Sequence, residues 1–159
     1  MKESLLVIGA VLSFSILAYS INQTIISNTE WVIALEARNS AIAQAQQLMD
    51  QVTSLNFDEN TSQGKSINST SELTLTKSIG KEAGDNIKDD VDDYHNVVAS
   101  GDSSRFKGFK LYVQVAYVDS TSPTLSSNNP TFLKRVTVTV TNGSYLAQPI
   151  TLSSLVAYY

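Results

Sequence analysis

Residues 1–32 read MKESLLVIGAVLSFSILAYSINQTIISNTEWV, and this stretch decides the architecture. After Glu3 no charged residue occurs until Glu30, and the run holds no proline and one glycine, Gly9. Eleven large apolar or aromatic side chains lie between Leu5 and Ile21. Burying each contributes about 1.5–3 kcal/mol, so the segment carries roughly 15–30 kcal/mol of transfer free energy. The apolar residues fall on every side of a helix, as they do in helices wholly surrounded by lipid or protein. A cleaved signal peptide would have this length and a small-residue site in "AYS", but its basic start is weak, since Glu3 cancels Lys2. About 18 apolar residues just span a bilayer, so a membrane anchor fits. A core helix of a soluble domain does not, because 159 residues cannot wrap a helix this long. A polymer fits as well, with copies of the helix sharing one core.

The helix does not stop at Trp31. No glycine follows Gly9 until Gly64, and no proline occurs before Pro123. The expected helix covers about residues 3–56, roughly 80 Å at ~1.5 Å per residue. Its second part is amphipathic. Ala34, Ala37, Ala41, Ala45, Leu48, Val52 and Leu55 recur at spacings of three and four, and Trp31, Leu35, Ile42 and Met49 widen the stripe. Glu36, Arg38, Gln44, Gln47 and Asp50 fall largely outside it. Such a stripe packs on the chain's own second half.

From Phe57 the composition becomes polar and turn-rich in "FDENTSQGKSINST", and strand patterns follow. "ELTLT" alternates Leu73 and Leu75 with polar residues. "FKLYVQVAYVD" places Phe109, Leu111, Val113, Val115 and Tyr117 on one face, and "VTVTVT" does the same with Val136, Val138 and Val140. "QPITLSSLVAYY" closes the chain. Asn142-Gly143 suits a tight hairpin between the last two strands, and Asp119 to Thr131 forms a long exposed loop. The expected fold is α+β: a long N-terminal helix packed against a small C-terminal antiparallel sheet. The domains read as 1–30 (apolar helix), 31–56 (its amphipathic continuation) and 57–159 (the β head).

Chemistry is sparse. The formal charge is −4, against the basic patch that nucleic acid requires. There is no cysteine and one histidine, His95, so a thiolate metal site is excluded and a histidine-based triad has little to draw on. His95 beside Tyr94 reads as a packing or surface residue. Asp85, Asp89, Asp90, Asp92 and Asp93 supply oxygen ligands for a hard cation but lack the EF-hand spacing and turn glycine, so a solvated acidic loop fits better. Asn-x-Ser/Thr sequons at Asn60, Asn68 and Asn142 are candidate glycosylation sites, and a fourth, at Asn22, lies in the apolar helix. No enzymatic activity, cofactor or resident metal is expected.

"KESLLVIGAVLSFSIL" resembles the start of a mature type IV pilin or pseudopilin, where an acidic residue precedes a long apolar run. "AIAQAQQLMDQVTSLNFDE" is similar to the helix end of bacterial pilins of the mannose-sensitive haemagglutinin kind, and "DDVDDYHN" and "LKRVTVTVTN" resemble segments of their heads. The resemblance covers most of the chain and rests on the order of these segments. It implies a helical filament at the cell surface whose core bundles the N-terminal helices, with subunits held in the inner membrane before assembly. Copies of the chain would then be the main partners, beside other pilins and assembly machinery. Leu5, Leu6, Val7, Ile8, Val11, Leu12, Phe14, Ile16 and Leu17 would pack between subunits, and Glu3 would pair with the α-amino group of a neighbour's Met1. The chain departs from the family in placing its acid third rather than fifth and in having no proline within the helix. Ser20, Asn22, Thr24, Ser27 and Asn28 compete for backbone hydrogen bonds and would loosen the helix in its place, although a continuous helix is the simpler expectation. The alternative is a membrane-anchored minor subunit or a surface-binding module, whose head recognises a partner through the loop from Asp119 to Thr131.

Overall fold

A computed structural model describes residues 2–62, 64–80 and 87–159, apart from the side chain of Leu5. Met1 and Asp85 lie outside the described residues. Helix α1 spans Lys2–Thr53 and a short α2 spans Glu59–Ser62. Three 3-10 turns follow at Thr70–Glu72, Thr76–Ser78 and Asp92–Tyr94. Strands β1 (Val98–Gly101), β2 (Phe109–Tyr117), β3 (Leu133–Thr141) and β4 (Ile150–Ala157) form one antiparallel sheet in the order β1-β2-β3-β4. The α+β arrangement is as expected. The chain divides into two compact units, Met1–Ala37 and Arg38–Tyr159.

α1 is continuous, but it ends three residues before Asn56. Ser54 N still donates to Asp50 O, and Leu55 N tightens onto Val52 O. Asn56 leaves the helix because its backbone finds other partners. Asn56 N donates to Asp89 O and Asn56 O accepts from Val91 N, a parallel bridge to Asp90. The helix runs unbroken through Ser20, Asn22, Thr24, Ser27 and Asn28, so the expected loosening is not seen. Ser15, Thr24 and Thr29 donate to the carbonyls four residues back, at 2.8–2.9 Å. These three hydroxyls find their acceptors inside the helix, at a small cost in helix stability.

Within the second unit the period-2 pattern is realised. Phe109, Leu111, Val113, Val115 and Tyr117 face inward with Val136, Val138 and Val140, none more than 3% exposed. They meet in register as Leu111↔Val140, Val113↔Val138 and Val115↔Val136. Cross-strand pairs of this kind are the unit of sheet stabilisation. The outer face is polar, with hydroxyl contacts between Thr137 and Ser153 and between Thr139 and Thr151 at 3.2 Å. The α1 residues of this unit bury Ala41, Ala45, Met49 and Val52 and leave Leu48 half-buried. Trp31, Ala34 and Leu35, read as part of the same stripe, are exposed.

Two other expectations fail. "ELTLT" is no strand but lies between two 3-10 turns. Leu73 is buried with Phe57, Ile67 and Tyr117 while Leu75 is exposed. Asn142-Gly143 is not a two-residue hairpin, since β3 ends at Thr141 and β4 begins at Ile150. The Asn142 side chain instead organises the connection. Its Oδ1 accepts from the backbone N–H groups of Ser144 and Tyr145, and its Nδ2 donates to Lys107 O at 2.8 Å. β1 (VASG) carried no strand pattern. Its Gly101 sits in close contact, since a Cβ there would displace the end of the Gln44 side chain and stand 2.8 Å from Leu111 Cδ1.

Candidate assembly surface and buried ionic centre

The first unit is a helix whose large apolar side chains lie open. Leu6 and Phe14 are each 74% exposed and Ile16 69%, and Val7, Ile8, Val11, Leu12 and Leu17 are exposed too. At 100° per residue these positions circle the axis, so no single contact with a flat surface could cover them. Small residues Gly9, Ala10, Ser13 and Ala18 interrupt the surface, and nothing lies within 4 Å of the position a Gly9 Cβ would take. Glu3 is exposed in the first turn of α1. The helix is long and apolar enough to cross a membrane, and none of its most apolar window is buried. Such exposure is unlike that of the mostly buried core helix of a soluble domain. A membrane anchor and a signal sequence satisfy the same measure of length and composition.

The second unit holds an ionic centre that the sequence reading missed. Lys134, on β3, is paired with Tyr117 of β2 and points with Val136 into the core. It is completely buried. Its Nζ donates to Asp92 Oδ2 at 2.8 Å, Asp58 Oδ2 at 3.1 Å and Phe57 O at 2.6 Å. The same ammonium sits 4.3 Å from the Phe57 ring centre and 4.8 Å from that of Tyr117. An unpaired charge here would be strongly disfavoured, so the pair must be complete for the fold to tolerate it.

Asp58 is the saturated partner. Besides Lys134 it accepts from Asn60 N, Asn60 Nδ2, Thr74 N, Thr74 Oγ1 and the Tyr117 hydroxyl. Burial alone would push its carboxyl up, but Lys134 and these hydrogen bonds outweigh burial and hold it below the usual carboxylate range. The Tyr117 hydroxyl, buried beside Asp92 and Asp58, is held well above its ordinary value.

The acidic stretch is not the solvated loop expected from its composition. Asp90, Asp92 and Asp93 are buried, drawn in by the bridge at Asn56 and the turn at Asp92–Tyr94. Asp90 Oδ1 accepts from Asp93 N, and Asp93 Oδ2 accepts from Asp89 N. Burial raises the Asp92 carboxyl to about 6 against the pull of Lys134, and the Asp90 carboxyl to about 7. Among the described residues no group of three or more His, Cys, Asp or Glu side chains is arranged to hold a metal ion. Asp92 faces Lys134, so charge compensation explains its presence. His95 is half-buried, and burial lowers its pKa. Its Nδ1 accepts from Val115 N at 3.1 Å, a packing role.

Of the sequon asparagines, Asn68 is exposed. The Asn60 amide donates to Asp58 Oδ1 and Glu72 O, and the Asn142 amide is engaged with Lys107 O. The loop after β2 is pinned: Arg135 donates to Pro123 O, Thr124 O and Ser126 Oγ. One signal could have disclosed the ionic centre. Lys134 stands in phase with Val136, Val138 and Val140, and a lysine on a buried strand face demands a carboxylate partner. Which carboxylates would supply it was not written locally.

No protein family matches this chain, and neither a curated protein nor a solved structure does.

Proposed function

We propose that the chain is the repeating subunit of a pilus-like cell-surface filament, held in a membrane through α1 before assembly and joined to its copies through the same helix afterwards. The observation that carries this reading is the helix surface from Leu6 to Ile21, whose large apolar side chains lie exposed around the axis. Lipid covers such a surface in the membrane state, and neighbouring copies of the helix cover it in the polymer. Association in lipid relies on close packing, which Gly9, Ala10, Ser13 and Ala18 permit. In this arrangement the head tiles the exterior and contributes no catalysis. Electron microscopy of sheared surface material tests it: thin filaments containing this chain are expected, and protein that is only monodisperse after extraction overturns the polymer.

The pinned loop between β2 and β3 favours a second reading: a rare, membrane-anchored subunit whose head recognises a surface. Arg135 fastens this loop to β3 through Pro123 O and Thr124 O, which would hold it ready for a partner. Copy number separates the two, because a major subunit is abundant and polymerises alone.

A further inference from the structure

We propose that Lys134 Nζ and the side-chain carboxyl of Asp92 condense to an intramolecular amide, a covalent staple inside the head. The geometry is that of a nucleophile held against its acceptor. Nζ lies 2.8 Å from Asp92 Oδ2, and both side chains are removed from water, with Lys134 at 0% and Asp92 at 3% exposure. The rings of Phe57 and Tyr117 flank the amine, so the pair sits in a medium of low polarity. In such a medium the ion pair and its neutral form, amine plus carboxylic acid, approach each other in free energy. Fixed proximity replaces the encounter that makes amide formation slow in solution.

The two carboxylates at Nζ are held differently, and the difference assigns their roles. Asp58 is fastened by backbone and side-chain donors on both oxygens and stays ionised. Asp92 has Lys134 on Oδ2, while its Oδ1 is buried with no hydrogen-bond partner among the described residues. An orphan buried carboxylate oxygen is expensive, whereas the same atom as an amide carbonyl is less so. Burial also brings the Asp92 carboxyl to about 6, so its protonated form is accessible near neutrality.

The step balances without a co-reactant. One proton passes from the Lys134 ammonium to Asp92 Oδ2. The freed electron pair on Nζ attacks Asp92 Cγ and forms the N–C bond. Asp58 takes a second proton from Nζ and delivers it to Oδ2, the C–O bond breaks, and Oδ2 leaves as water. The third proton stays on the amide nitrogen and Oδ1 becomes the carbonyl oxygen. Asp58 is thus the positioning and proton-relay residue. The staple would tie β3 to the turn at Asp92–Tyr94, 42 residues away in sequence.

Tryptic peptide mapping of the denatured full chain, purified in detergent after circular dichroism shows it folded, tests this directly. The amide gives a branched peptide joining residues 89–105 to 111–135, one water lighter than the two together and uncut after Lys134. Residues 89–105 and 111–134 recovered as separate peptides overturn the proposal, and a branch from residues 39–65, which contain Asp58, overturns the choice of Asp92. Asp92→Asn should still form the same branched peptide, with ammonia as the leaving group, an outcome that a structural ion pair cannot produce. Lys134→Arg keeps a cation but lacks the competent amine, and should give only linear peptides. Asp58→Asn should slow appearance of the branch at least tenfold in a time course after refolding. An unchanged rate removes Asp58 from the relay.

Discussion

The apolar stretch of α1 and strands β2 and β3 draw on the same kind of side chain and treat it in opposite ways. In the helix, Leu6, Phe14 and Ile16 are more than two-thirds exposed, while in the sheet Val113, Val136 and Val138 have no exposed surface. Composition does not separate the two regions; periodicity does. Alternation concentrates apolar groups on one face, which the rest of the head can cover. An all-round distribution leaves no face to cover, so its shelter must come from outside the chain. The charges are inverted in the same way. The helix keeps Glu3 in solvent, whereas the head encloses Lys134 and surrounds it with carboxylates.

Substitutions can break this contrast. The largest effect is expected from placing charge on the helix: Leu12→Asp with Leu17→Asp should abolish filament assembly. Each aspartate costs about 2.5–3.5 kcal/mol at mid-membrane, and the near-ultraviolet circular dichroism of the head should stay unchanged. Normal filament yield by electron microscopy would remove the functional distinction between the regions. Next is the opposite manipulation. Lys134→Met strands Asp58 and Asp92 without their cation and should destabilise the head by about 3–5 kcal/mol, read by chemical denaturation of the full chain in detergent. Membrane partition of that variant should not change. Gly101→Val should cost about 1–3 kcal/mol by overpacking against Gln44 and Leu111, whereas Gly9→Val, with open space around it, should leave head melting untouched.

The smallest effect is that of pH, and it sharpens the comparison because the head contains carboxyls shifted by burial. Asp90 and Asp92 bind protons more tightly folded than unfolded. Their contribution is full below about pH 4 and is lost as pH rises through about 6 to 7. Asp58 runs the other way: its contribution is present above the ordinary carboxylate range and is lost as pH falls through its lowered value. The head's melting temperature should therefore decline modestly from pH 5 to pH 8. If Asp92 is consumed as an amide, the decline is carried by Asp90 alone. A flat profile would place Asp90 in contact with water.

The first half of the helix was legible from its unbroken apolar run, and its second half, the inward faces of β2 and β3 and the polar outer face of the sheet because they are local repeats of period 3.6 or 2. Each residue within them reports its surroundings through its neighbours in sequence. The errors lie where the signal was short or the partner distant: Leu75, which alternates but faces solvent, and the early end of α1, set by backbone bonds from Asn56 to the distant Asp89 and Val91. Only the tertiary structure could decide that Asp92 is a buried counter-ion and not part of a solvated loop. Lys134 meets Asp58 across 76 residues and Asp92 across 42. Patterning is fixed by adjacent residues, but the partner of a buried charge is chosen when remote segments close together, because only then does losing water make the pairing compulsory.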